Sequence, residues 1–301
     1  MHNSLFEMKR YFSPRGVATL FFAVCLGYTV SAQVAPTTLF EYPVVPDTCS
    51  TLESRCNFYV THFWDKCDIS RPISDEAALE NAFRDWVSPF TQANRTAVIS
   101  SVKSFMFKAG SNTSNLSKLG RIAERVLYGP EAEFWSDEVY VEIAKSMTQN
   151  KQLPREEREY YKGQIERINR TMPGAVMDFE FTTANGNKQS LSDVKGRLVL
   201  LFFTDDGVDS SIDRVRLSTS PTVNALIESG DMAVVHIQSV KADSEWRHNA
   251  DNYPSQWVNG AVEAITNSYD IRQLPTSFLL DEERKVLQKN VPVGDVLEAL
   301  N

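Results

Sequence analysis

The chain has 301 residues, of which 42% are hydrophobic and 23% charged, and 31 Lys and Arg against 39 Asp and Glu give a net charge of −8. This composition is that of a globular protein with room for two modest domains, not of a disordered chain. The acidic balance argues against nucleic acid as a partner and against an electrostatic hold on anionic lipid.

The first residues have the order of a secretory leader. Lys9, Arg10 and Arg15 supply a basic start, Gly16 to Tyr28 is mostly apolar, and Val30-Ser31-Ala32 is a small-residue cleavage pattern. Residues 1–32 are therefore predicted to be a signal peptide, with export to the periplasm or cell envelope of a Gram-negative bacterium. Met8-Lys9-Arg10 is an alternative beginning. The apolar run is short for a membrane span, and Phe22-Ala23-Val24 before Cys25 is a poor lipidation signal. Beyond Ala32 no apolar stretch is long enough to cross a bilayer. Loss of Glu7, Lys9, Arg10 and Arg15 takes the net charge from −8 to about −10.

Residues 33–172 read as an all-α domain. Its three cysteines, Cys49, Cys56 and Cys67, lie in one short segment. In an oxidising compartment one pair is expected and one thiol is left over. Cys56–Cys67 and Cys49–Cys56 both remain open. A metal site with His62 as fourth ligand lacks the Cys-x-x-Cys spacing that zinc sites use, and no spacing supports a redox pair. Cys56 to Lys66 is an aromatic-rich helix candidate whose Phe58, Tyr59, Phe63 and Trp64 suit a helix–helix core. Ser74 to Ala77 is a helix start with an acidic first turn, leading through Ala78, Phe83 and Trp86 to Val87. Ala97 to Met106 marks the next helix, ending near Gly110. Ser111 to Ser117 reads as loop, and Leu119 to Tyr128 as helix. Glu131 to Met147 is helical, with Phe134, Trp135, Val139, Ile143 and Met147 on one face. Glu156 to Ile168 is a charged last helix.

Residues 173–301 change character. Met177 to Thr182 and Lys188 to Leu191 predict a hairpin around Asn185-Gly186. Leu198 to Phe203 is a continuous apolar run, the pattern of a strand buried on both faces. Thr204 to Gly207 breaks it, and a helix follows towards Leu217, with Asp209, Ser210 or Ser211 as cap. Ser220-Pro221 interrupts that helix and Thr222 to Glu228 continues it. Met232 to Ile237 is the next core strand. Leu274-Pro275-Thr276 precedes a strand over Ser277–Leu280, a turn over Asp281–Arg284 and a strand beginning at Val286-Leu287. Gly294 to Leu300 closes as a helix.

The strand–turn–helix over Leu198–Arg216, the lead-in Leu191–Arg197, and Trp246, Pro254 and Trp257 resemble the periplasmic thiol–disulfide oxidoreductases of the TlpA/ResA type. The resemblance implies an α/β thioredoxin-like domain. It puts Gly207-Val208-Asp209-Ser210 where those proteins carry Cys-x-x-Cys, with Gly207 in the place of the nucleophile and Ser210 in that of the resolving cysteine. It also implies a cis peptide bond before Pro275, close to Gly207, and a groove lined by Phe203, Thr204, Leu274, Pro275 and Thr276. The stretch Arg55 to Asp68, RCNFYVTHFWDKCD, and the helices after it resemble a helical domain of unknown function that precedes such domains. That likeness covers roughly residues 40–170 and brings no activity with it.

Two sharper readings of the turn remain. Asp205, Asp206, Asp209 and Asp213 would form a cation site, or serve as helix-end and solvated acids. Ser210 or Ser211 would act as nucleophile only with a base such as His236 or His248. No cofactor is implied. Three functions follow as alternatives: a redox-inactive module that binds a peptide or protein beside Pro275, an oxidoreductase using the amino-terminal cysteines, and a structural component of the envelope.

Overall fold

The structure, a computed structural model, describes residues 38–300. The expected leader over residues 1–32, with Cys25, lies outside the described residues. Within them the chain forms two compact units that part between Ile165 and Glu166.

The first unit is all helix: α1 Leu52–His62, α2 Glu76–Val87, α3 Arg95–Ala109, α4 Thr113–Ala123, α5 Asp137–Gln149 and α6 Arg155–Asn169, the last crossing the division. Side-chain caps explain the starts. Thr51 and Ser54 form a capping box on α1, Asp75 accepts from Ala78 N on α2, and Ser136 accepts from Val139 N on α5. The core is aromatic, with Trp64 stacked on Phe105 at 4.1 Å between centroids and Trp86 edge-on to both.

Three boundaries differ from the sequence reading. The aromatic helix begins at Leu52, because the Thr51 cap precedes the aromatic run. The stretch 113–117, expected as loop, is the first turn of α4. Asn112 caps it, and the buried Asn115 donates to the carbonyls of Ile69 and Arg71 and accepts from Ile73 N. Its polarity serves a neighbouring loop instead of solvent. The helix expected over Glu131 to Met147 starts only at Asp137, since Trp135 Nε1 turns back to donate to Gly129 O at 2.8 Å.

The second unit is a seven-stranded sheet with helices on it: β1 Glu180–Thr183, β2 Lys188–Ser190, β3 Leu198–Thr204, α7 Val208–Thr219, α8 Pro221–Glu228, β4 Met232–Gln238, α9 Ser244–Ala250, β5 Val258–Ala261, β6 Thr276–Asp281, β7 Val286–Val291 and α10 Val293–Leu300. The strand order is β2-β1-β5-β4-β3-β6-β7. β3 pairs in parallel with β4 and antiparallel with β6. It is apolar throughout because both its faces are covered. Val199, Leu201 and Phe203 pack with Phe278, Leu280, Val235 and Ile237 on one side. Leu198, Leu200 and Phe202 pack with Leu217 of α7, Val223 of α8 and Val296 of α10 on the other. The β1–β2 hairpin turns at Gly186, whose φ of 85° lies in the left-handed region. No helix among the described residues is long and apolar enough to cross a membrane.

Candidate functional site

β3 delivers the chain to the end of the sheet at Thr204, and α7 takes it away from Val208. Between them the turn is organised by one carboxylate. Asp205 Oδ1 accepts from Gly207 N at 2.9 Å and from Ser210 Oγ at 2.6 Å, while Asp205 N donates to Ser210 Oγ at 3.2 Å. Gly207 is the N-cap residue and supplies no side-chain bond. The helix therefore begins before Asp209, Ser210 and Ser211, which the sequence reading offered as caps. Asp205 binds the turn's amide from outside the helix and displaces them from that role.

Gly207, Val208 and Asp209 are exposed, and Ser210 is fully buried. A Cβ on residue 207 would stand 2.9 Å from Asp205 Oδ1. The carboxylate thus occupies the space that a side chain at position 207 would need. Residues 68–301 contain no cysteine.

The neighbouring strand ends in a second polar centre. Gln238 is paired with Thr204 in the β3–β4 register. Its Nε2 donates to the Asp206 carboxylate and, at 3.4 Å, to Asp205 O, and its Oε1 accepts from Trp246 Nε1 and Tyr253 OH, each at 2.8 Å. The Arg214 guanidinium lies 4.5 Å over the Tyr253 ring. Sequence reasoning did not single out Gln238. Its only signal is a polar residue closing the apolar run Met232–Ile237.

Two residues before Gln238, His236 Nε2 meets Thr204 Oγ1 at 2.8 Å and Nδ1 meets Asn259 Oδ1 at 3.1 Å. The Asn259 amide nitrogen is committed to the Pro254 and Trp257 carbonyls. Its oxygen therefore accepts from His236 Nδ1–H, and Nε2 accepts from the Thr204 hydroxyl. Burial pushes the imidazole down to about 4, so it is neutral at pH 7. Both ring nitrogens are engaged and the residue is fully buried. His236 is no base for Ser210, whose hydroxyl donates to Asp205 instead. Nor do the four aspartates converge on a cation: Asp205 holds the turn, Asp206 takes Gln238, and Asp213 pairs with Arg216 at 3.2 Å.

The Leu274–Pro275 bond is cis. Thr276 pairs with Phe203 and Ser277 with Phe202, so Pro275 enters β6 at the end of the sheet where β3 leaves it. Leu274 and Pro275 are half-buried. Phe203, Thr204 and Thr276 are closed off from solvent, which corrects their expected place as groove lining. β3 is an interior strand, and the Phe203 ring is covered by Phe179 and Phe278. Two concavities border the turn. One of about 450 Å³ runs along Val208, Ile212 and Val215, and one of about 590 Å³ lies between Arg214, Gln238, Lys241 and Tyr253. Neither is lined by Leu274, Pro275 or Thr276.

In the helical unit Cys49, Cys56 and Cys67 are all free, so the expected disulfide is not formed. Cys56 sits more than a helical turn from either end of α1, at about 1.5 Å of rise per residue, whereas Cys49 and Cys67 lie beyond those ends. Burial raises the Cys56 thiol, and burial with Asp68 nearby pushes Cys67 up to about 11. His62, the fourth ligand of the metal reading, pairs its Nδ1 with Asp65 at 2.7 Å.

Comparison with known proteins places this geometry. Residues 27–171 match a family described as a domain of unknown function, DUF5106. A thioredoxin-like protein from Bacteroides caccae is similar over 87% of this chain and 98% of its own, with 22% identity and a TM-score of 0.76. The carboxy-terminal domain of an uncharacterized protein from Bacteroides fragilis matches 44% of this chain and 98% of its own at 26% identity, with a TM-score of 0.40. The thioredoxin domain of a thiol-disulfide oxidoreductase from Bacteroides vulgatus matches 42% and 93% at 23% identity, with a TM-score of 0.36. No curated protein matches the chain. The chain thus joins a helical region similar to the DUF5106 family to an α/β domain with the thioredoxin-like fold.

Proposed function

We propose that the chain is a binding protein of the bacterial envelope that keeps the thioredoxin scaffold without dithiol chemistry, and that it holds a peptide or protein at the sheet end carrying Gly207–Ser210 and Leu274-Pro275. The observation that carries this reading is the Asp205 lock. Disulfide exchange needs a thiolate to attack and a second thiol to resolve the mixed disulfide. Here position 207 has no side chain, a carboxylate fills the space one would take, and Ser210 is buried with its hydroxyl on that same carboxylate. Export is supported by the leader pattern of residues 1–32. On this reading the helical domain spans 33–172 and the thioredoxin-like domain 173–301.

The alternative, exchange through amino-terminal cysteines, is opposed by burial, which raises Cys56 and Cys67 away from the thiolate range.

Two measurements test the proposal. The purified chain should leave insulin disulfides unreduced at a rate indistinguishable from the buffer with dithiothreitol. A photo-crosslinking residue at the exposed Val208 or at the exposed Gln273 should capture a partner in extracts of the producing cell. The same residue at Glu228, at the far end of the sheet, should not. Catalysed insulin reduction, or equal capture at all three places, would sink the reading.

A further inference from the structure

The helix that leaves the turn carries a second, outward apolar face. α7 is buried through Ser210 and Leu217. Its opposite side exposes Val208 by 75%, Ile212 by 45% and Val215 by 60%. At 3.6 residues per turn these three fall within about 60° of one another. The shallow concavity of about 450 Å³ runs along them, from Asp206 to Arg216. The other exposed large apolar side chains, such as Val44, Phe107 and Val176, are scattered through the chain.

Charge is arranged on this face as well. Asp209 and Arg216 are seven residues apart, two helical turns, and so stand one above the other on the same flank of the stripe. The midpoint between them falls beside Ile212. Arg216 is steadied by Asp213 at 3.2 Å, with its guanidinium exposed. Asp209 makes no ion pair among the described residues and is exposed.

We propose that this face joins two copies of the chain, α7 packing antiparallel on α7 about a two-fold axis beside Ile212. Such an interface is self-complementary: what residue i meets on the other copy, that copy meets in return. A two-fold at this midpoint sets Ile212 against its mate. It also sets Asp209 of each copy level with Arg216 of the other, on the same side of the interface. Parallel packing would put the Asp209 and Arg216 flanks of the two copies on opposite sides of the interface, where neither charge meets its opposite, so the charges favour the antiparallel arrangement. A single helix face is a small interface, which implies a reversible association. The face shares Val208 and Asp209 with the turn, but the proposal rests on the stripe and its charges alone and its test does not depend on a bound peptide.

Sedimentation equilibrium of the full chain, from low micromolar to about 1 mM, tests it. The wild-type chain should show a reversible monomer–dimer equilibrium. Ile212→Asp should be monomeric throughout. Asp209→Arg or Arg216→Asp alone should weaken the dimer at least about tenfold, because like charges then face each other twice. Together they should restore it to within about threefold of wild type. All three positions concern exposed side chains, and circular dichroism confirms that each variant is folded. A chain that stays monomeric, a dimer that survives Ile212→Asp, or a double reversal no tighter than the single ones would overturn the proposal. A peptide or other protein covering the stripe would respond to Ile212→Asp but show no such rescue.

Discussion

The helical unit and the sheet unit bury polar side chains in different ways. In the helical unit several buried donors answer the main chain, beside one side-chain pair in which Tyr140 donates to Gln164 and Gln164 to Glu124. Trp86 Nε1 and Ser101 Oγ both donate to the Val60 carbonyl, at 3.0 and 2.7 Å, and the Asn115 amide donates to Ile69 and Arg71. In the sheet unit side chains bond to one another. Thr204 meets His236, His236 meets Asn259, Ser210 meets Asp205, and Gln238 gathers Trp246 and Tyr253. These bonds concentrate where β3 and β4 end. The first pattern pins helices and loops into a core. The second fixes the shape of one edge, because a side-chain network is rigid only when all its members are satisfied. The difference teaches where shape matters: the core of one unit and the rim of the other.

The strongest way to break this comparison is through the helical core. Trp86→Ala should destabilise the helical unit by about 3–5 kcal/mol, through the cavity it leaves and the lost bond to Val60. Urea unfolding followed by circular dichroism reads the loss. A cost under about 1 kcal/mol would mean that the aromatic core is not what holds that unit.

The next effect separates the rim from the core by pH. Burial holds His236 at about 4 in the folded chain, against about 6.5 when unfolded. The unfolded state therefore takes up the proton first. Stability from this group is whole above pH 6.5 and is lost progressively as the pH falls to about 4, by up to about 3 kcal/mol. His236→Gln should flatten that part of the stability–pH curve. An unchanged slope between pH 6.5 and 4 in the variant would remove His236 from the account.

Two smaller changes sharpen the picture at the rim. Gln238→Ala orphans Trp246 Nε1 and Tyr253 OH and should cost about 2 kcal/mol. Hydrogen exchange at residues 205–210 should quicken with it, since Gln238 also donates to Asp205 O and the Asp206 carboxylate. Ser210→Ala should cost about 1 kcal/mol, the scale of a single buried hydrogen bond, and leave the Thr204–His236–Asn259 chain untouched. If Ser210→Ala proved the costlier of the two, Asp205 and not Gln238 would be the main support of the turn.

The architecture was legible where one physical signal dominated. The unbroken run Leu198–Phe203 announced a strand covered on both faces, and Asn185-Gly186 announced the hairpin. Elements set by distant contacts were not legible. Polar Asn112 and Asn115 read as loop because the carbonyls they serve, Ser70 among them, lie far away in sequence. β5 escaped notice because Val258-Asn259-Gly260-Ala261 contains a glycine, an uncommon strand residue. A Cβ there would meet the Phe181 ring at 2.3 Å, a demand that only the folded sheet makes. The cysteines suggested a disulfide by their proximity in sequence, and α1 keeps Cys56 within its length. Of the candidate site, the turn could be placed from the chain alone. Gln238, Asn259 and the buried state of Phe203, Thr204 and Thr276 depend on the β5–β4–β3–β6 register, which no local pattern encodes.

The contact between position 207 and Asp205 makes the residues of the turn interdependent. A side chain at position 207 requires the Asp205 carboxylate to move. Gly207→Cys alone drives a side chain into the Asp205 carboxylate, 2.9 Å from its Cβ. Ser210→Cys alone forfeits the 2.6 Å bond that steadies that carboxylate. Changing Asp205 first undoes the turn before any sulfur is present. Positions 205, 207 and 210 are therefore coupled: a change at any one of them alters what the other two can carry.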